Sequence, residues 1–303
     1  MTSKRWLTYS VLAVVAVAGT GAGLNYRINA FGVFGDVRGK TYRSYLNEDR
    51  EAKYLYSFNY IPANFDGVLV GSSISGNWDT RKIRSAKTYN LSIDGANITE
   101  EKILAENVFV RRRMRLVLFC VYPHMVSNHG KKTAYMQPGD YWGALGSTQL
   151  LREYMNRILA RMGRRKAVDD EFGVADYSAL EQNVDPQKAD YRLSNREELV
   201  LDETAVAEYA ELLDEARADG ARIVAFIPPH YSGVWNGPDY AGFVARMKTL
   251  FRSDEKIVDF NEDKYEQFRN TRDNFYDGVH ITGKGADFLT AELNLRLLET
   301  QAQ

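Results

Sequence analysis

The sequence Asp66-Gly67-Val68-Leu69-Val70-Gly71-Ser72-Ser73-Ile74-Ser75 points to an α/β fold. Three consecutive apolar residues run straight into a Gly-Ser-Ser turn, the pattern of a buried parallel strand that ends where an α/β sheet exposes a nucleophile. Near the other end of the chain, Asp277-Gly278-Val279-His280 offers a base and an acid to orient it, three positions apart and ahead of a C-terminal helix. A serine hydroxyl is a poor nucleophile at neutral pH and needs a base within hydrogen-bond reach, which in turn needs a group fixing its tautomer. Ser73, His280 and Asp277 are therefore expected to be the catalytic set, with His280 as the base and Asp277 as its orienting acid.

Strand-like runs at 67–70, 88–91, 116–121, 222–227 and 256–260 alternate with helical segments, as expected of a parallel sheet with helices on both faces. A helix is expected over 99–112, with Glu100 and Glu101 at its start and Arg111, Arg112 and Arg113 at its end, complementing the macrodipole at both ends. Over 202–219, Val206, Tyr209, Ala210, Leu213 and Ala216 form the stripe of an amphipathic helix that Gly220 is placed to end. The last helix starts near Thr282 and buries Ala286, Leu289, Leu293 and Leu297.

Between the third strand and the helix at 202 lie about 80 residues, too many for an ordinary connection. This insertion, at about 123–201, is expected to cap the site. Within it, 147–162 reads as a helix with Leu151, Tyr154, Ile158 and Met162 on one face and Arg152, Arg157, Arg161 and Arg164 on or near the other. The expected arrangement is an apolar face packed on the domain and a basic face in solvent.

Lys4 and Arg5 precede 21 uncharged residues, 6–26, just long enough to cross a bilayer core of roughly 30 Å. Residues 1–27 are thus a membrane anchor or a signal segment. Ala16-Val17-Ala18 has the small-x-small form of a cleavage site and keeps the second alternative open. Either way, the positive flank stays inside and residues 28–303 are expected outside the cytoplasm; with the segment uncleaved, the expectation is a single-pass inner-membrane protein with its domain in the periplasm or an equivalent space.

The chain of 303 residues is 45% hydrophobic and 26% charged, enough for one full core. A net charge of -1 and a pI near 6.5 leave no basic surplus for a phosphate backbone, so nucleic acid is excluded as a partner class. The lone cysteine, Cys120, sits in an apolar run and reads as a buried strand residue. The four histidines are scattered and no Cys/His cluster has metal-ligand spacing, so no metal is expected, and the serine chemistry above requires no dissociable cofactor.

Acyl-transfer chemistry also needs donors for a developing oxyanion. The Ser73 and Gly95 N–H groups are the candidates, Gly95 standing in a turn after the second strand. Tyr122, His124, Asn128 and His230 lie at or near the C-terminal rim of the sheet and are expected to bind substrate, and Trp78, Tyr122, Tyr231 and Trp235 offer rings for sugar stacking, of which half should prove to be packing residues.

These residues resemble the motifs of the SGNH/GDSL hydrolase superfamily of serine esterases and acetyltransferases. Gly71-Ser72-Ser73-Ile74 is similar to its Gly-Asp-Ser motif, with Ser72 where the family usually has aspartate. Asn90 to Gly95 resembles the motif that carries the oxyanion glycine, and Asp277 and His280 meet the closing Asp-x-x-His. The third motif, Gly-x-Asn-Asp, has no counterpart in Val121-Tyr122-Pro123-His124-Met125-Val126-Ser127-Asn128, and Asn128 or Asn97 are the substitutes within reach. The resemblance implies a three-layer α/β/α domain with a flavodoxin-like five-stranded parallel sheet. It also implies similarity to membrane-anchored members that modify cell-wall polymers or exopolysaccharides. The implied partners are a polysaccharide or other acylated glycan, the membrane itself, and a membrane protein that hands acyl groups across. The expected activity is an acyltransferase or esterase acting on acyl, above all acetyl, groups of such a polymer. A plain esterase of glycans or small esters and a non-catalytic polysaccharide-binding or assembly scaffold are the alternatives.

Overall fold

A computed structural model of the chain describes residues 3–46, 49–127, 136–177, 199–232 and 238–299. Five parallel strands, β1 (Gly67–Val70), β2 (Thr88–Asn90), β3 (Leu116–Cys120), β4 (Arg222–Ile227) and β5 (Lys256–Asp259), stand in the order β2-β1-β3-β4-β5. They occupy the expected positions, β2, β3 and β5 each ending one residue early. All of β1 and β3 is buried, so these strands read as unbroken apolar runs rather than alternating ones.

Adjacent register pairs show the two faces of the sheet. Phe119 pairs with Ala225 and Cys120 with Phe226. Phe119 packs at 5.8 Å from Tyr209 of helix Glu203–Ala218, while Phe226 stacks at 4.2 Å on Trp78 on the opposite side. Helix Ile98–Phe109 packs beside Glu203–Ala218, and Gly283–Glu299 packs on the turn Thr80–Lys82, as the fixed hand of parallel crossovers requires. This is a three-layer α/β/α sandwich.

Helix starts follow their caps. Asn97 forms a capping box with Glu100, so the second-layer helix begins at Ile98 and ends at Phe109, before the exposed arginines. Glu100 and Glu101 do not serve it as solvated first-turn charges. Both are fully buried: Glu100 accepts from Arg50 at 2.7 Å, and burial pushes the Glu101 carboxyl well above its usual range. Asp202 caps Glu203–Ala218, and Gly220, at φ +78°, ends it in the left-handed region.

The described part of the insertion returns to the sheet. The Asn90 N–H donates to the Phe172 carbonyl and the Ala175 N–H to that of Gly76, so this loop covers the outer edge of β2. Helix Thr148–Arg161 forms where expected, with Arg152, Arg161 and Arg164 exposed as expected, but most of its apolar stripe does not pack on the domain. Leu151, Ile158 and Met162 are exposed, whereas Arg157 turns inward to the buried Glu153 at 2.6 Å and to the Ala30 carbonyl at 2.8 Å. The Glu153 carboxylate also accepts from the Tyr45 N–H, and this paired, hydrogen-bonded charge fixes which side goes in.

Helix Ser3–Ile28 has no buried residue and is long and apolar enough to cross a membrane, a property it shares with signal sequences. It stops at Asn29, in the left-handed region at φ +50°, and Ala30 and Phe31 already belong to the buried core.

Candidate active site

Ser73 is the first residue of a single helical turn, Ser73–Gly76, reached from β1 through Gly71 and an extended Ser72 that bridges Ile93. Gly71 has to be glycine. A Cβ there would lie 2.8 Å from Cys120 Cβ and 2.9 Å from Ser92 Oγ and would collide with Ser75 Oγ. Gly71→Ala is therefore expected to lower stability by about 1–3 kcal/mol through overpacking and to displace Ser73. Thermal melting and ester turnover of the variant check this; a melting temperature and rate equal to wild type would contradict it.

On the facing loop, Tyr276 N–H donates to the His280 carbonyl at 2.7 Å and Phe275 bridges Ile281, forming a tight turn that carries Asp277 and His280. Asp277 Oδ1 accepts from the N–H groups of Val279 (2.9 Å) and His280 (2.7 Å). Its Oδ2 lies 2.8 Å from His280 Nδ1, and His280 Nε2 lies 3.0 Å from Ser73 Oγ. The structure thus brings the three residues into one hydrogen-bonded chain across 207 positions of sequence. Burial would raise the Asp277 carboxyl, but the His280 ring and the two N–H donors outweigh it and hold the group below its usual range. A carboxylate kept ionised beside Nδ1 fixes that nitrogen as the protonated one and leaves Nε2 to accept from the serine.

The third wall of the site is the loop after β2. Asn90 is buried and its Nδ2 donates to the carbonyls of Ser75 (2.8 Å) and Gly76 (3.0 Å), while its Oδ1 accepts from Ser92 N–H. One side chain therefore ties the helical turn of Ser73 to the loop that ends at Gly95. Gly95 is exposed with φ +63°, a conformation that favours glycine in this turn. Ser73, as the first residue of its helical turn, has an N–H without a partner inside that turn.

Three residues at the site were not legible in the sequence. The Tyr177 hydroxyl lies 2.7 Å from Asp94 Oδ1 and 3.1 Å from the Ser73 carbonyl, and its ring stands edge-on to His280 at 6.5 Å. It belongs to the polar insertion, which carries no periodicity. Asp94 holds that hydroxyl. Asn77 donates to the Ile281 carbonyl at 2.7 Å and pins the His280 loop to the Ser73 turn.

Other expected residues have different places. His230 is buried, edge-on to Tyr240 at 5.0 Å, with its carbonyl accepting from Arg269; this is packing rather than an exposed binding position. Tyr122 is buried at the start of Pro123–Val126, because the chain turns inward at the proline, and His124 is half-buried in that turn. Trp78 is core, Tyr231 packs edge-on to Phe275, and Asn97 is buried at the helix start, its Oδ1 accepting from the Glu100 N–H in the capping box. Asn128 and Trp235 lie outside the described residues.

Beneath the loop, fully buried Lys53 donates to the Ser92 carbonyl and stands 3.6 Å from Asp49 and 3.7 Å from Asp169. Burial pushes the Asp169 carboxyl from 3.8 up to about 7, because one ammonium does not balance several carboxylates. The folded state therefore keeps a proton that the unfolded chain releases, and stability falls as pH rises through that interval. The full chain in detergent should unfold at lower denaturant at about pH 8 than at about pH 5, and Asp169→Asn should remove the part of that difference that the raised Glu101 carboxyl does not supply. An unchanged pH dependence in the variant would contradict the assignment.

No protein-family model matches the chain, and no curated protein matches it in sequence. Among solved structures it is similar to a Bacteroides fragilis protein provisionally described as an acylhydrolase, over 77% of this chain and 86% of that one, with 13% identity and a TM-score of 0.39. Similarity at that level is too low to carry chemistry from one chain to the other.

Proposed function

We propose that this chain is a membrane-tethered serine enzyme that moves an acyl group, most simply acetyl, to or from a polysaccharide outside the cytoplasm. The observation that carries the proposal is the Ser73–His280–Asp277 chain of hydrogen bonds at the C-terminal edge of the sheet. In this reading His280 Nε2 takes the Ser73 proton as Oγ attacks the acyl carbonyl. Asp277 holds the imidazolium, and the N–H groups of Ser73 and Gly95 receive the oxyanion. Collapse of the tetrahedral intermediate breaks the bond to the donor oxygen, which leaves with the proton from His280, and Ser73 carries the acyl group. A sugar hydroxyl or water then repeats the steps in reverse, its proton passing to His280 and Oγ leaving as the hydroxyl.

Two features support a glycan. The N-terminal helix would keep the site where exported polymers emerge, Lys4 and Arg5 holding its start inside. A polar groove of about 540 Å³, bordered by Arg43, Arg81, Arg165, Asp170 and Asp176, has room for several sugar units; its wall includes residues of the segment that carries Tyr177, though not the Ser73, His280 and Asp277 side chains.

The test is partition of the acyl enzyme. Full-length protein given p-nitrophenyl acetate should release nitrophenol slowly in water and faster with a soluble oligosaccharide acceptor, which becomes acetylated. Turnover indifferent to every acceptor would reduce the reading to a plain esterase. The missing Gly-x-Asn-Asp donor favours a second reading, a polysaccharide-binding scaffold, under which Ser73→Ala would leave cellular function intact.

A further inference from the structure

The apolar stripe of helix Thr148–Arg161 lies outside the domain, beside the exit of the N-terminal helix. Leu151, Met155, Ile158 and Met162 are each more than half exposed. At roughly 100° per residue they fall within about 60° of one another on the helix surface. Tyr154 lies next to that stripe, between it and the buried Leu150 and Glu153. A contiguous apolar face of this kind on a soluble surface marks a contact.

Its position along the N-terminal helix is fixed. The Tyr154 hydroxyl donates to Asn25 Oδ1 at 2.9 Å, and Asn25 Nδ2 donates to the Leu145 carbonyl at 2.7 Å. Asn25 is three residues from the helix end at Ile28, about 4.5 Å along its axis, and within the uncharged run 6–26. No linker separates the helix from the domain, since Ala30 and Phe31 are already core and the Ala30 carbonyl accepts from Arg157. The stripe is therefore held level with the last turn of the apolar segment and cannot move away from it.

Aromatic residues mark the same level. Tyr26 contacts Phe34, Phe34 contacts Tyr141, and Tyr141 contacts Trp142, with centroids 5.1 to 6.2 Å apart; Tyr26 and Trp142 are largely exposed. Tyrosine and tryptophan concentrate where a bilayer meets water. Arg152, Arg161 and Arg164, all exposed around the stripe, suit anionic lipid headgroups.

We propose that helix Thr148–Arg161 lies flat in the headgroup region of the bilayer that Ser3–Ile28 crosses, with Leu151, Met155, Ile158 and Met162 seated among the lipids. The inference rests on Ser3–Ile28 being an uncleaved span. It adds that the domain is fastened to the membrane at two points, so that its orientation toward the surface is fixed.

Full-length protein in phosphatidylcholine–phosphatidylglycerol nanodiscs tests it. Nitroxides are placed by Met155→Cys and Ile158→Cys, with Val14→Cys as a reference inside the span and Ser253→Cys as a reference in exposed loop. Native Cys120 is buried and does not compete for label. Collision with oxygen is compared with collision with a water-soluble nickel chelate. The expected result is oxygen-favoured collision at 155 and 158, between the two references and closer to Val14. Values at 155 and 158 equal to those at Ser253, with Val14 still lipid-exposed, would overturn the inference and leave the span standing. Water exposure at Val14 as well would overturn both. Dipolar broadening between labels, without oxygen enrichment, would assign the stripe to a second copy and also overturn it. Each label replaces an exposed side chain, so the fold is retained.

Discussion

Ser73→Ala is expected to lower acyl transfer or ester turnover by about four to six orders of magnitude while barely changing stability. The hydroxyl's hydrogen bond is to His280 Nε2, on a half-buried side chain, so little native energy is lost with it. The backbone of Ser73–Gly76 stays, held by Asn90 and by Ser75, so the Ser73 N–H remains available to an oxyanion. What disappears is the atom that takes the acyl group. Turnover of p-nitrophenyl acetate beside a melting curve measures both quantities. A variant within tenfold of wild type in rate would remove Ser73 from the chemistry.

Asp277→Asn is expected to cost about 10⁴-fold in rate, again with a small stability change, and the reason lies in the turn. Asp277 Oδ1 accepts from two backbone N–H groups, a place the amide oxygen of asparagine keeps. The amide nitrogen then faces His280 Nδ1 where Oδ2 stood at 2.8 Å. Two donors do not pair, so the ring takes the tautomer with its hydrogen on Nε2, and that nitrogen no longer accepts the Ser73 proton. Single-turnover acylation, followed by mass, isolates this step. A loss below tenfold would mean that Asp277 shapes the turn and does not set the tautomer.

The sheet was legible because its strands are buried on both faces: 67–70, 116–121 and 222–227 read as continuous apolar runs bounded by turn residues. The juxtaposition of Ser73 with His280 followed from the order of elements, since both stand at C-terminal ends of one parallel sheet. The faces of Thr148–Arg161 were not legible. Periodicity says that two faces differ, and by itself does not say which turns inward; the Glu153–Arg157 pair decided it against the apolar side. The burial of Glu100 and Glu101 escaped for a related reason, because their partners Arg50 and Lys53 come from a helix some 50 residues away. Tyr177 gave no signal at all: it is one aromatic in a polar stretch, and only the return of residues 168–177 to the edge of β2 brings it over the Ser73 carbonyl. His230 shows the converse, a position on the correct rim whose side chain the fold uses for packing against Tyr240.

Covalent labelling of the full-length protein by a fluorophosphonate, read by intact mass and located by peptide mapping, shows whether Ser73 is an activated nucleophile. A hydroxyl hydrogen-bonded to an oriented imidazole should form one adduct, on Ser73, which disappears in Ser73→Ala and in His280→Ala. A folded protein that takes no label, or one whose label sits on another serine and persists in Ser73→Ala, would contradict that activation.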